Sequence, residues 1–200
     1  HHQDDLLENF FLRMLRGSGL KGLISFDKKN TIGEKKLLRP LLDQKKENLI
    51  FVSKSVFNFY VEDPANLDEK FQRIKVRKLI KELEKNGLNE KKFSKTLNNL
   101  KNSDILVKFY VSENLKENTF FSVKDSQLIL NKSFFQKPHE IVFRSLSESI
   151  KLVGQKYYPV RGKKLDKIIK DLENNDLLKA TLGGCIIKKV NQTVIIAKEY

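Results

Sequence analysis

The densest chemistry in the chain stands at its start, where His1-His2-Gln3-Asp4-Asp5 and then Glu8 place two histidines and three carboxylates within eight residues. Asp5 and Glu8 are three apart, so on a helix they share a face and can together hold an ammonium group or a hydrated Mg²⁺, while Asp4 points elsewhere. Adjacent histidines rarely converge on one metal, and the carboxylate-rich remainder suits a hard, oxygen-liking ion better than zinc. The plainer alternative is an aspartate capping a helix among solvated neighbours. Arg16-Gly17-Ser18-Gly19 combines a cation, a hydroxyl and two flexible backbone positions, a set that can receive a phosphate through backbone N–H groups. It lacks the spacing and the lysine of a Walker loop. Arg73 and Arg77 lie four apart, so both can face one anionic partner, or both can belong to an ordinary solvated helix face.

These groups need elements to position them. Apolar residues at Leu6, Leu7, Phe10, Phe11, Met14 and Leu15 repeat at helical spacing and predict a helix with one buried face, capped by Asp4 or Asp5 and ended by the glycines after Arg16. A second helix is expected from about 43 to 56, followed by a short extended run, Phe59-Tyr60-Val61. Strand-like pieces alternating with helices point to an α/β layer whose earlier strands lie upstream of this sequence. Asp63-Pro64-Ala65-Asn66 reads as a turn and marks a boundary, since Asp and Asn bond local backbone and Pro64 fixes its own φ. Beyond it, helices are expected over about 68–86, closed by Asn86-Gly87, and over 89–111. Two β-like runs follow at 119–123 and 127–130, then helices at about 134–152 and 165–172. The end reads as a β-hairpin of 180–189 and 194–198 joined across Asn191-Gln192, with Gly183-Gly184 a bulge or close-approach point.

In 200 residues with 40% apolar content, 39 Lys+Arg stand against 25 Asp+Glu, a formal net charge of +14. That is enough apolar material for one or two cores, and the excess charge favours a polyanionic partner. Much of it is lysine in a chain also rich in Asn, Ile and Phe, a bias that AT-rich coding alone would produce. The last and shortest segment is the most basic. There Tyr157-Tyr158 sits among Lys156, Arg161, Lys163 and Lys164, which suits phosphate contacts with room for base stacking, or a solvated lysine face. No apolar run approaches the roughly 20 residues of a membrane span, so no membrane partner is expected. Cys185 is the single cysteine and has no Cys or His neighbours for zinc, so a reducing, cytoplasmic setting is expected. The first residue is His1 and the one methionine, Met14, falls inside a helical pattern, so the chain is expected to be a fragment of a longer reading frame.

The ordered series His1-His2-Gln3-Asp4-Asp5-Leu6-Leu7-Glu8, Arg16-Gly17-Ser18-Gly19-Leu20, Arg39-Pro40-Leu41-Leu42 and Asp63-Pro64-Ala65-Asn66-Leu67-Asp68 with Phe71, Arg73 and Arg77 resembles the tRNA(Ile)-lysidine synthetase family. Thr181-Leu182-Gly183-Gly184-Cys185 also looks like the C-terminal region of bacterial members. The resemblance covers most of the chain. It implies an ATP-dependent ligase of the N-type ATP pyrophosphatases, cytoplasmic, acting on tRNA(Ile) with a CAU anticodon. Members adenylate carbon 2 of the wobble cytidine and let the ε-amine of free lysine displace AMP, giving lysidine.

The implied fold is α/β: residues 1–62 as the C-terminal part of a Rossmann-like PP-loop nucleotide-binding domain, 63–142 as a mostly helical linker and tRNA-binding domain, and 143–200 as a basic α+β segment. By the same resemblance His1, Asp5, Glu8 and Arg73 belong to the reaction centre, with Asp5 and Glu8 orienting the lysine ammonium or Mg²⁺. Arg16, Gly17, Ser18 and Gly19 line the ATP site. Arg73 and Arg77 meet phosphate or the tRNA backbone, and Lys156, Arg161, Lys163 and Lys164 grip the tRNA body. The Ser-Gly-Gly-x-Asp-Ser loop that cradles pyrophosphate in this family is absent from the 200 residues, so these residues alone are expected not to adenylate. Leu6, Asn9 and Ala65 replace a glutamine, a threonine and a serine common in members, and none of the three changes removes a charged group. A tRNA cytidine thiolase of the same superfamily would require paired cysteines, which Cys185 alone does not supply. A non-catalytic basic RNA-binding module is the rival from another class.

Overall fold

A computed structural model describes residues 1–32, 35–61, 72–122, 126–156, 160–174, 176 and 178–199. They gather into two compact units, 1–104 and 105–200. The turn expected at 63–66, Phe71 and the Tyr157-Tyr158 pair lie outside the described residues.

The first unit opens with α1 (Gln3–Leu15) and a single-turn α2 (Leu20–Leu23). α1 stops where the glycine predicts. Gly17 takes φ +71, its N–H donates to the Met14 carbonyl, and Ser18 N–H donates back to Arg13, the double closure of a Schellman motif. The same geometry closes α4 (Gln72–Lys85) at Gly87, φ +97, with Leu88 N–H donating to the Leu83 carbonyl. The buried face of α1 is turned from the expected one: Glu8, Phe11 and Leu12 are buried, whereas Met14 and Leu15 are about half exposed. α4 sets that phase, since Phe11 and Leu12 form one cluster with its Val76 and Ile80.

Strands β1 (Lys29–Ile32) and β2 (Lys35–Leu38) pair antiparallel. The mixed helix and sheet of the expectation is present, but its parallel layer is not found among the described residues. β1 and β2 are two residues apart, which allows a hairpin and is far too short for a parallel crossover. Phe59-Tyr60-Val61 forms no strand. α3 (Lys46–Phe57) ends at Asn58, φ 59, and buries none of its residues, leaving Phe51, Val56 and Phe57 largely exposed.

α5 (Glu90–Asn118) is longer than the expected 89–111, and the division between units falls inside it. Its end is fixed by buried amides: Asn114 Nδ2 donates to the Phe134 carbonyl at 3.3 Å and to Ser145 Oγ at 3.2 Å, and Asn118 Nδ2 donates to Asn114 Oδ1 at 2.9 Å. Polar residues at those positions hide a buried helical face from a purely apolar pattern.

The second unit is a five-stranded antiparallel sheet with two helices on one face. β3 (Thr119–Ser122), β4 (Gln127–Leu130), β5 (Lys179–Leu182), β6 (Cys185–Val190) and β7 (Thr193–Lys198) stand in the order β3-β4-β7-β6-β5. α6 (His139–Gly154) follows a 3-10 turn at Lys132–Gln136 and starts at Pro138, so the helix expected from 134 is two pieces. With α7 (Gly162–Glu173) it covers Leu128, Leu130, Leu182, Cys185, Ile187, Val194 and Ile196, the core of the unit. Alternate strand residues point away from that core. The run 180–189, expected as one strand, turns instead at Gly183 and Gly184, φ +65 and +75, so that Leu182 pairs with Cys185. The expected close approach is there: a Cβ on Gly154 would stand 2.3 Å from the Gly183 carbonyl oxygen, so only a residue without one lets α6 meet the turn.

Candidate active site

His2, not an aspartate, is the N-cap of α1, and Asp5 acts from the first turn by accepting the His2 backbone N–H at 3.0 Å. That is one half of a capping box, and it fixes the Asp5 carboxylate beside the imidazole, with His2 Nε2 3.7 Å away. His2 Nδ1 stands 3.8 Å from Asp4 and is buried with no hydrogen-bond partner among the described residues. The two ring nitrogens thus face different carboxylates, Nδ1 toward Asp4 and Nε2 toward Asp5. Gln3 N–H donates to the Gln44 carbonyl at 2.9 Å and ties the helix start to the segment before α3.

Glu8 is 3% exposed and its carboxylate meets Arg77 of α4 with both oxygens, Oε1 to Nε at 2.5 Å and Oε2 to Nη2 at 3.4 Å. The Glu8 hydrogen bond holds the guanidinium above its ordinary value against the opposing effect of burial, and Asp5 and Asp4 add to it. So the structure brings Glu8 and Arg77 together, whereas the sequence places one on the lysine or metal and the other on phosphate. Arg73 lies exposed in the first turn of α4.

His2, Asp4, Glu8 and Arg77 line one wall of a cleft of about 600 Å³ with Lys45, Lys46, Lys81, Glu84 and Glu90 around it and Leu7, Ile80, Leu88 and Phe93 as its apolar part. Carboxylates and ammonium groups of both signs around an apolar floor suit a small zwitterion with an aliphatic stem.

His1 lies apart, exposed, with its ring edge-on to Phe26 at 5.2 Å between centroids. Arg39 stacks on the same Phe26 at 4.4 Å and donates to the Asp27 carbonyl at 2.8 Å. Burial raises the Asp27 carboxyl, but Lys101 at 2.8 Å, the Lys28 N–H and Arg39 outweigh it and hold Asp27 below its ordinary value. Arg39 carries weight here that composition does not reveal, and the Arg-Pro-Leu-Leu run is the signal that finds it.

The phosphate-loop expectation needs correction in its mechanism. The N–H groups of Arg16, Gly17 and Ser18 all donate to α1 carbonyls, at 3.1, 3.0 and 3.0 Å, so they close the helix instead of facing a phosphate. What this loop retains for an anion is the exposed Arg16 guanidinium and the Ser18 hydroxyl. Gly19 has ordinary helix-entry geometry as the cap of α2. Among the described residues no group of three or more His, Cys, Asp or Glu could hold a metal ion.

In the second unit Lys156, Arg161, Lys163 and Lys164 are all exposed, the last three at the start of α7. Cys185 is fully buried, burial pushes its thiol up, and Sγ donates to the Ile150 carbonyl at 3.3 Å, an inert setting for sulfur chemistry. No helix among the described residues is long and apolar enough to cross a membrane.

The family model of the PP-loop domain matches residues 1–83. The whole chain is 32% identical over 206 residues to the tRNA(Ile)-lysidine synthase of Wolbachia sp. subsp. Brugia malayi (strain TRS) and covers 46% of that protein. It is 31% identical over 202 residues to that of Wolbachia pipientis wMel, again covering 46%. To that of Orientia tsutsugamushi (strain Boryong) it is 29% identical over 215 residues, covering 47%. The chain thus spans about half the length of the curated relatives it matches, with its first 83 residues similar to the PP-loop domain and its whole length similar to the tRNA(Ile)-lysidine synthases.

Proposed function

We propose that these residues serve an ATP-dependent ligase that joins lysine to carbon 2 of the wobble cytidine of tRNA(Ile) with a CAU anticodon, through an adenylated cytidine. The observation that carries this reading is the whole-chain likeness to proteins named tRNA(Ile)-lysidine synthase, and the geometry at the start of α1 supports it. Free lysine fits the cleft: its ammonium groups find Asp4, Glu84 and Glu90, its carboxylate finds Lys45 and Lys46, and its stem lies on Leu7 and Ile80. The attacking ε-amine must lose protons, and in this proposal the His2 ring, beside Asp4 and Asp5, accepts one. Glu8 acts here as a positioning residue, since its oxygens are on Arg77 and hold α1 to α4. His1 stands apart from the cleft, against Phe26.

ATP is the adenylating cofactor in this proposal, with Arg16 and Ser18 contacting phosphate and Asp5 touching Mg²⁺. Arg73 reaches phosphate from the free turn of α4. Lys156, Arg161, Lys163 and Lys164 hold the tRNA backbone as point charges. Such an enzyme works in the cytoplasm, where its tRNA is.

The test is ATP-dependent incorporation of labelled lysine into an isoleucine tRNA transcript with a CAU anticodon. The chain is assayed alone and joined to a Ser-Gly-Gly-x-Asp-Ser segment from a relative. Incorporation by the joined protein into that transcript, and not into methionine tRNA, is expected. Tight tRNA binding without incorporation would replace the ligase with a binding module.

A further inference from the structure

α6 and α7 cover one face of the five-stranded sheet, and the other face has a composition that a folding core does not call for. Strand register aligns Phe120, Ile129, Ile195, Lys188 and Lys179 in one row across all five strands. Beside it runs a second row, Ser122, Gln127, Ala197, Ile186 and Thr181. Phe120 is 67% exposed, on the outside of an edge strand. Lys188 and Lys179 stand directly opposite each other, both exposed. Like charges paired across strands destabilise a sheet unless an anion lies between them. No ion pair with a described residue is formed by either lysine, and none of the ten residues in these two rows is a carboxylate.

The face is thus aromatic at one edge, aliphatic in the middle and cationic at the other, with hydroxyl and amide groups alongside. An open antiparallel sheet bearing an exposed aromatic and flanking lysines is a platform on which unpaired bases stack while phosphates meet the cations. A protein partner would be expected to bring, or meet, charges of both signs, and these two rows offer one sign only.

We propose that the open face of the sheet binds an unpaired stretch of RNA, with a base stacked on Phe120 and phosphate between Lys179 and Lys188. The proposal rests on the reading of the chain as part of a tRNA-modifying enzyme, and it lies on the opposite side of the sheet from α7 with Arg161, Lys163 and Lys164.

The experiment is fluorescence anisotropy of the 200-residue chain with a labelled single-stranded RNA oligonucleotide and with the same sequence as a duplex. Phe120→Ala is expected to weaken single-strand binding about tenfold, the loss of one stacked base. Lys179→Gln with Lys188→Gln is expected to weaken it and to flatten the salt dependence by about 0.7 in slope, one phosphate contact to a single strand. Leu152→Ala, an exposed apolar change on α6 away from this face, should match the parent chain. Phe120 is exposed, so its replacement is expected to leave the fold intact, which circular dichroism checks. Unchanged affinity and slope in the face variants would overturn the proposal, as would equal preference for the duplex. A self-associating parent chain that turns monomeric with Phe120→Ala, seen by light scattering, would overturn it too by making the face a contact between copies. Lysine incorporation is measured separately, so a failed ligase reading leaves the RNA result standing and a failed face leaves the ligase standing.

Discussion

Removing the Arg77 guanidinium tests whether the first unit is held by a buried ion pair or merely displays one. Glu8 is 3% exposed and both its oxygens are engaged by Arg77. Arg77→Met leaves a carboxylate without its cation in a nearly dry site, a change worth about 3–5 kcal/mol for fully buried pairs. The guanidinium side chain is 32% exposed, so water can reach the orphaned carboxylate and the lower end, about 3 kcal/mol, applies. Glu8→Gln keeps a carbonyl acceptor and gives up the charge, for a loss of about 1–2 kcal/mol. Replacing both with apolar residues, Glu8→Leu with Arg77→Met, removes the unpaired charge and should recover much of the single-variant loss, a coupling of about 2 kcal/mol. The assay is urea unfolding of the four proteins by circular dichroism, with amide exchange to locate the loss in α1 and α4. Arg77→Met within about 0.5 kcal/mol of the parent, together with a tRNA salt slope lower by about one, would refute the reasoning and return Arg77 to the phosphate.

Two glycines should separate space from backbone strain. Gly17→Ala meets nothing within 4 Å and suffers only its φ of +71, about 1 kcal/mol, while Gly154→Ala drives a Cβ into the Gly183 carbonyl and should lose more than about 2 kcal/mol in the same urea assay. Asp27 has its carboxyl held below its ordinary 3.8, so its stabilising contribution is complete above that value and is lost as pH falls through the lower folded value. Asp27→Asn should therefore be less stable near neutrality and show a shallower acid limb in a pH series of unfolding midpoints. Lys163→Ala with Lys164→Ala removes two cations from the positive end of the α7 dipole, so stability should hold or rise by a few tenths of a kcal/mol. The same variant should bind tRNA more weakly, with a salt slope smaller by up to about two, and a slope equal to the parent's would exclude this turn from the interface.

What the sequence discloses and what it conceals follow one physical division. Glycine stops are local events. A residue at φ +71 or +97 closes a helix on its own carbonyls, so the ends of α1 and α4 are legible from Gly17 and Gly87 alone. The β6–β7 hairpin is legible for the same reason, because Asn191 tolerates the left-handed geometry that its turn requires. Phase and partner are not local. Leu12 is buried and Met14 exposed because α4 packs from one side, and an apolar list for α1 contains no information about α4. The division of Gly183-Gly184 into a turn depends on Gly154 some thirty residues earlier in the chain, which leaves room for the close approach only by lacking a side chain.

The site obeys the same rule. Residue types at the start of α1 suggest acid–base and cation chemistry, and spacing alone pairs Asp5 with Glu8 because both lie on one helical face. The fold separates their tasks: Asp5 turns back to the His2 N–H within α1, while Glu8 turns outward to Arg77 across 69 residues of chain. A carboxylate three residues from another on a helix is a candidate partner only until a cation from elsewhere claims it. Arg77 donates to Glu8 at 2.5 Å, and a charge-assisted hydrogen bond of that kind ties Glu8 to α4 while Asp5 stays within α1.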